Sequence, residues 1–106
     1  MKIEISELTK DDIITIFSEA FKVPMWRRNN AVKVTNELLD KKRVLIYNSK
    51  DCINYALNLA SLYEGVKKFI LKIGNTNISI YDVIDGDFIL QYALFGTIVF
   101  ENRYGV

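Results

Sequence analysis

Three short stretches of this chain carry residues whose types and spacing suit chemistry or binding. The first is "NSKDC" at 48–52, which sets Ser49, Asp51 and Cys52 together. A serine opening a helix either holds an anion on the free N–H groups or simply caps the helix. We read Ser49 as the cap. A helix N-terminus also acidifies a thiol. Asp51 beside Cys52 opposes that effect, so Cys52 reads as an inert thiol, buried or half-buried.

The second stretch is "YDVIDGD" at 81–87, with Asp82, Asp85 and Asp87. Clustered carboxylates can hold a hard cation. The spacing is not that of an EF-hand loop, and Asp87 reads as a helix cap. No metal and no cofactor are therefore expected. The third is "PMWRRNN" at 24–30, which holds the only proline and the only tryptophan. Trp26, Arg27 and Arg28 are residue types enriched at binding hot spots. Trp26 reads more readily as a packing anchor between the first helix and the sheet. The two arginines read as exposed contacts.

Composition narrows the chemistry further. The 106 residues include no histidine. Ser–His and Cys–His nucleophile pairs, His–zinc sites and phosphohistidine are all excluded with it. The chain has neither a glycine-rich phosphate loop nor convergent carboxylates, so an enzyme is not expected. One cysteine excludes an internal disulfide and fits a reducing, cytoplasmic setting. "MKIEISELTKDD" is too charged for a signal peptide. No apolar run approaches the roughly 18 residues of a spanning helix, so no membrane partner is expected.

Lys and Arg number 14 against 13 Asp and Glu. Global attraction to nucleic acid does not follow from such balance. The distribution is less even. Residues 22–43 hold Lys22, Arg27, Arg28, Lys33, Lys41, Lys42 and Arg43 against Glu37 and Asp40 alone. A small nucleic-acid-binding protein using this basic segment is the alternative reading. The aromatic and basic-glycine signature of RNA-binding strands is missing from "KKFILKI" and "ISIYD".

These residues need elements to position them. "KIEIS" alternates and reads as a short strand. Thr9 and Asp12 form a capping-box pattern ahead of a helix over 10–22, with Ile13, Ile16, Phe17, Ala20 and Phe21 on one face. Pro24 stops that helix. Asn30 caps a second over 31–40, although "AVKVT" also reads as a strand. "RVLIYN" is a strand. Asn48 or Ser49 then caps a helix with Ile53, Ala56, Leu57, Ala60 and Tyr63 buried, and Gly65 closes it. "KKFILKI" reads as a second strand, "GNTN" as a turn and "ISIY" as a third strand. Asp85-Gly86 reads as a turn, 87–95 as a helix ended by Gly96, and "TIVFEN" as a last strand.

The order β-α-β-β-α-β over 43–106, carried by "ALNLASLYEGVKKFILKIGNTNISIYDVI", resembles the HPr family of phosphocarrier proteins. "LASLY" is similar to the family's first helix end, and "NISIYDVI" to the strand leading into its second helix. The resemblance implies an open-faced β-sandwich, with a four-stranded antiparallel sheet and helices on one face. The ferredoxin-like split βαβ layer is the rival. The family also has a third helix after the last strand. We expect the two-helix extension over 1–42 to cover the sheet in its place.

The resemblance implies, too, that "SKDC" stands where the family carries its phosphorylated histidine motif. Ser49 takes the histidine's place, Asp51 the arginine's and Cys52 the proline's. The nucleophile is gone and a carboxylate stands where a cation is needed, so phosphotransfer is not expected. Asp82 matches the family's regulatory serine, either as a fixed carboxylate imitating phosphoserine or as a plain helix cap. We read it as the cap. The overall expectation is an α+β, non-catalytic regulatory or protein-interaction module. Its candidate partner-binding residues are Trp26, Arg27, Arg28, Ser49, Asp51 and Asp82.

Overall fold

The computed structural model describes residues 8–101. The expected strand "KIEIS" lies outside them. The described chain is α+β, with four α-helices and one two-stranded antiparallel sheet.

Helix α1 (Lys10–Ala20) starts at the expected capping box. Thr9 Oγ1 accepts from Asp12 N at 3.1 Å, and Asp12 accepts from Thr9 N at 2.9 Å. Ile13, Ile16, Phe17 and Ala20 form its buried stripe. It ends just ahead of Pro24, which opens a short 3₁₀ turn, Pro24–Trp26. Helix α2 (Ala31–Lys41) is capped by Asn30, whose side chain accepts from Lys33 N at 3.0 Å. "AVKVT" is therefore helical. Lys42, at φ 62°, closes α2 in the left-handed region.

Strand β1 (Arg43–Asn48) turns Val44, Ile46 and Asn48 inward and Arg43 and Leu45 outward. It pairs antiparallel with β2 (Ile53–Asn58), with Ile46 opposite Tyr55 and Val44 opposite Leu57. The helix expected after Ser49 is thus a strand. Asn48 Oδ1 accepts from Lys50 N at 2.8 Å and Asp51 N at 3.3 Å, which makes an Asx turn rather than a helix cap. Cys52, at φ 60°, completes the reversal.

The real helix starts one strand later. Asn58 accepts from Ser61 N at 2.7 Å and caps α3 (Leu59–Ile73). Leu62, Val66, Phe69 and Ile70 share its buried face, so "KKFILKI" continues a helical period and is not a strand. Gly65 does not end this helix. A Cβ there would lie 2.8 Å from the Ala93 Cβ and from Ile89 O, so glycine lets α3 and α4 touch. Gly74, at φ 85°, is the C-terminal cap.

"ISIY" is a 3₁₀ turn, Ile78–Ile80, where a strand was expected. Helix α4 (Val83–Phe95) begins earlier than expected. Its cap is Asp82, in a capping box with Asp85, and Gly96 closes it. Asp85-Gly86 is not a turn but the first turn of α4. Asp87 is not the cap and lies inside the helix. Residues 97–101 form no strand.

Over 43–101 the order is therefore β-β-α-α. The four-stranded sheet implied by the resemblance is not present among the described residues, which hold two strands. One hydrophobic cluster runs from Leu8 to Leu90 and draws on α1, α2, both strands, α3 and α4. α1 packs on α4 and α2, and α2 packs on β1.

Candidate interaction surface

The "PMWRRNN" loop and the β1–β2 hairpin are built into one surface. Asn29 is the joint. Its Nδ2 donates to Tyr47 O at 2.8 Å, and its Oδ1 accepts from Tyr47 N at 2.9 Å. The side-chain amide thus pairs with β1 as another strand would. Nδ2 also donates to Trp26 O at 2.8 Å, which fixes the loop's curvature. At the strand's end, Ser49 N donates to Met25 O at 2.8 Å, and Ser49 Oγ reaches Pro24 O at 3.2 Å.

This knitting sets Arg28 over the Tyr47 ring, with its guanidinium carbon 5.9 Å from the centroid. Such a contact restrains a long exposed side chain. Arg27 is exposed and reaches back toward Lys22 O at 3.4 Å. In the turn, Asp51 accepts from Ile53 N at 3.2 Å and from the Tyr55 hydroxyl. Cys52 is exposed, where a buried or half-buried thiol was expected.

Two phenols of this surface are held protonated. Tyr47 is pushed up by its hydrogen bond with the Cys52 side chain, then by burial, and the Arg28 charge works against this. Tyr55 is pushed up by its hydrogen bond to Asp51, then by burial. Tyr55 also packs edge-on against Phe95 at 4.9 Å, and Phe95 against Phe100 at 5.8 Å. Lys50 lies over Phe100 at 5.4 Å. The surface thus alternates cation, aromatic ring and carboxylate on a backbone closed by hydrogen bonds.

Of the six residues singled out from sequence, the structure gathers four exposed or half-buried ones here: Arg27, Arg28, Ser49 and Asp51. Trp26 lies under the same loop but is fully buried. Its indole Nε1 donates to Asp87 Oδ1 at 2.7 Å. Asp87 also accepts from Gln91 Nε2 at 3.2 Å on both oxygens. Gln91 in turn holds the backbone of Val99 and Phe100. Asp82 stands apart as the exposed cap of α4, bonded to Asp85. Burial pushes the Asp85 carboxyl up, and the Asp82 N–H opposes it. Asp82 and Asp85 face one another while Asp87 turns into the core, so the three do not converge. Among the described residues no group of three or more such ligands could hold a metal ion.

Asn29, Tyr47 and Tyr55 were not singled out from sequence. An asparagine following two arginines gives no sign that its amide will pair with a strand 18 residues on. The alternation of "INYALN" was the available signal for Tyr55. The basic segment 22–43 is partly neutralised: Lys22 pairs with Glu19 at 2.5 Å and Lys41 with Glu37 at 3.6 Å. Lys42 Nζ donates to Leu39 O at 3.1 Å. Among the described residues, no helix is long and apolar enough to cross a membrane.

Comparison with known proteins adds no relative. No family model, curated protein or solved structure matches the chain.

Proposed function

We propose that this chain is a non-catalytic protein-interaction module, and that it meets its partner through the surface shared by the 24–29 loop and the hairpin turn. The observation that carries the reading is the double hydrogen bond between Asn29 and Tyr47. It holds Arg28 and Tyr47 in one geometry before any partner arrives, while Ile53 N and the Tyr55 hydroxyl fix Asp51 beside them. Preorganisation of this kind lowers the ordering cost of binding. Arginine and tyrosine are residues that anchor such contacts. A regulatory role and a reducing, cytoplasmic setting fit an exposed single thiol. An HPr-like sheet would need strands at 67–73 and 78–81, where the chain is helical, so this reading does not rest on a phosphocarrier scaffold.

Cys52 allows a direct test, because it is the only cysteine and lies on this surface. A photoactivatable cross-linker attached there should capture a discrete protein from the native host. Capture should fall sharply with Arg28→Glu. The same linker at Thr76, in a Cys52→Ser/Thr76→Cys chain, should not capture it. Equal capture from both positions would remove the reading. Nuclease-sensitive capture of RNA or DNA would replace it with the basic-segment alternative.

A further inference from the structure

The hairpin leaves the β1 edge closed at its Tyr47 end and the β2 edge open. On β1 the outward peptide groups of Tyr47 are taken by Asn29, and Ser49 N by Met25 O. Since Tyr47 points its N–H and C=O away from β2, the strands' alternation fixes the rest. Tyr47 faces Asn54, so Asn54 and Ala56 point their own N–H and C=O away from β1. Neither residue's peptide groups have a hydrogen-bond partner among the described residues. Both side chains are exposed.

Natural edges are usually blunted by a charge, a proline or a bulge. The β2 sequence, INYALN, contains no charge and no proline, and its register with β1 is unbroken from Ile53 to Asn58. Such an edge is chemically a template for another extended backbone.

We infer that the occupant is a second copy of this chain, joined by antiparallel pairing of β2 with β2 about a two-fold axis at Ala56. A four-stranded sheet results, in the order β1-β2-β2-β1. Centring the pair on Ala56 places methyl against methyl at the axis. It sets Asn54 opposite Asn58 of the second copy, amide beside amide, on the outer face. On the inner face Leu57 is already fully buried within its own copy. Ile53 is left 46 % exposed by the hairpin. Every facing pair is neutral, so no charge is buried or opposed by its like. A contact of this kind is isologous and closes on itself, as homodimers usually do. The inference is independent of the partner proposed above. It adds that the outer faces of the two hairpins become continuous, which would present the Arg28–Tyr47 surface twice.

A six-residue edge is small beside a standard interface of about 1,600 Å². The dimer should therefore be weak and concentration-dependent. Sedimentation equilibrium from micromolar to millimolar protein should show the average mass rising from monomer toward twice that value. Amide exchange at Asn54 and Ala56 should slow as concentration rises. Ala56→Lys puts two ammonium groups face to face, and Ala56→Pro removes the outward N–H while sparing the bonds to β1. Both variants should keep the helical circular dichroism of the parent and remain monomeric throughout. Monomer mass at every concentration for the parent chain would overturn the inference. So would dimerisation that both variants retain, or exchange at Asn54 and Ala56 that ignores concentration.

Discussion

The indole of Trp26 donates to the buried carboxylate of Asp87 at 2.7 Å, across 61 residues of sequence. That bond ties the loop to α4 from below, while Asn29 ties it to β1 at the side. The loop can therefore hold Arg27 and Arg28 outward without using Trp26 as a contact. A carboxylate away from water must have its lone pairs met, and Trp26 and Gln91 both donate to this one.

Replacing Trp26 with Phe keeps an aromatic ring but removes the donor. Leaving a buried charged acceptor short of one bond costs about 1–3 kcal/mol. Trp26→Ala adds a cavity and should cost about 3–5 kcal/mol. Urea melts followed by far-ultraviolet circular dichroism will rank the parent, Phe and Ala chains in that order. Combining Trp26→Phe with Asp87→Ala should cost less than the sum of the two single changes, because each removes the same bond. Strict additivity would mean that the bond contributes nothing to stability.

Gly86 offers a second test, where local and tertiary preferences oppose each other. Within a helix, alanine is favoured over glycine by about 1 kcal/mol. At Gly86, however, a Cβ would lie 2.5 Å from Ala20 N and 2.9 Å from Ile16 O, both backbone atoms of α1. Gly86→Ala should destabilise by about 1–3 kcal/mol, since α1 must move away from α4. A stabilised Gly86→Ala chain would show that the two helices do not approach this closely. Gly74→Ala separates the two causes, because nothing lies within 4 Å of it and only its φ of 85° is strained.

Where one local signal had one meaning, the sequence was readable. Thr9 with Asp12, Asn30, Pro24 and Gly96 each marked an element end, because capping and ring geometry act within a turn. The segment 49–73 was misread for two physical reasons. Asn48 accepts N–H groups two and three residues on, and this chemistry serves an Asx turn as well as a helix cap. "KKFILKI" has a strand's composition, but Phe69 and Ile70 keep the period begun at Leu62 and Val66. Gly65 and Gly86 looked like punctuation, yet both serve helix contacts that only the tertiary structure reveals. The candidate surface was half legible. Exposed arginines and the turn could be named, but their joining through Asn29 depends on a contact 18 residues away.

Tyr81 makes stability fall at high pH in a predictable window. Its ring is 3 % exposed and packs edge-on against Phe69 at 5.1 Å, and its hydroxyl donates to Asn75 O at 2.8 Å. Burial pushes this phenol from 10.0 up to about 12, with the carboxylates of Asp85 and Asp12 adding to the effect. The folded chain thus keeps a proton that the unfolded chain gives up. Below pH 10 both states hold it, and the stabilisation is fully present. As pH rises from there through about 12, unfolding releases the proton and stability declines, by about 3 kcal/mol for the full difference. Urea melts over this range should show a steeper loss for the parent than for Tyr81→Phe. That variant lacks the titrating group, and at neutral pH it should lose only about 0.5–1.5 kcal/mol for the missing hydrogen bond. Parallel pH profiles for the two chains would place the Tyr81 hydroxyl in contact with water.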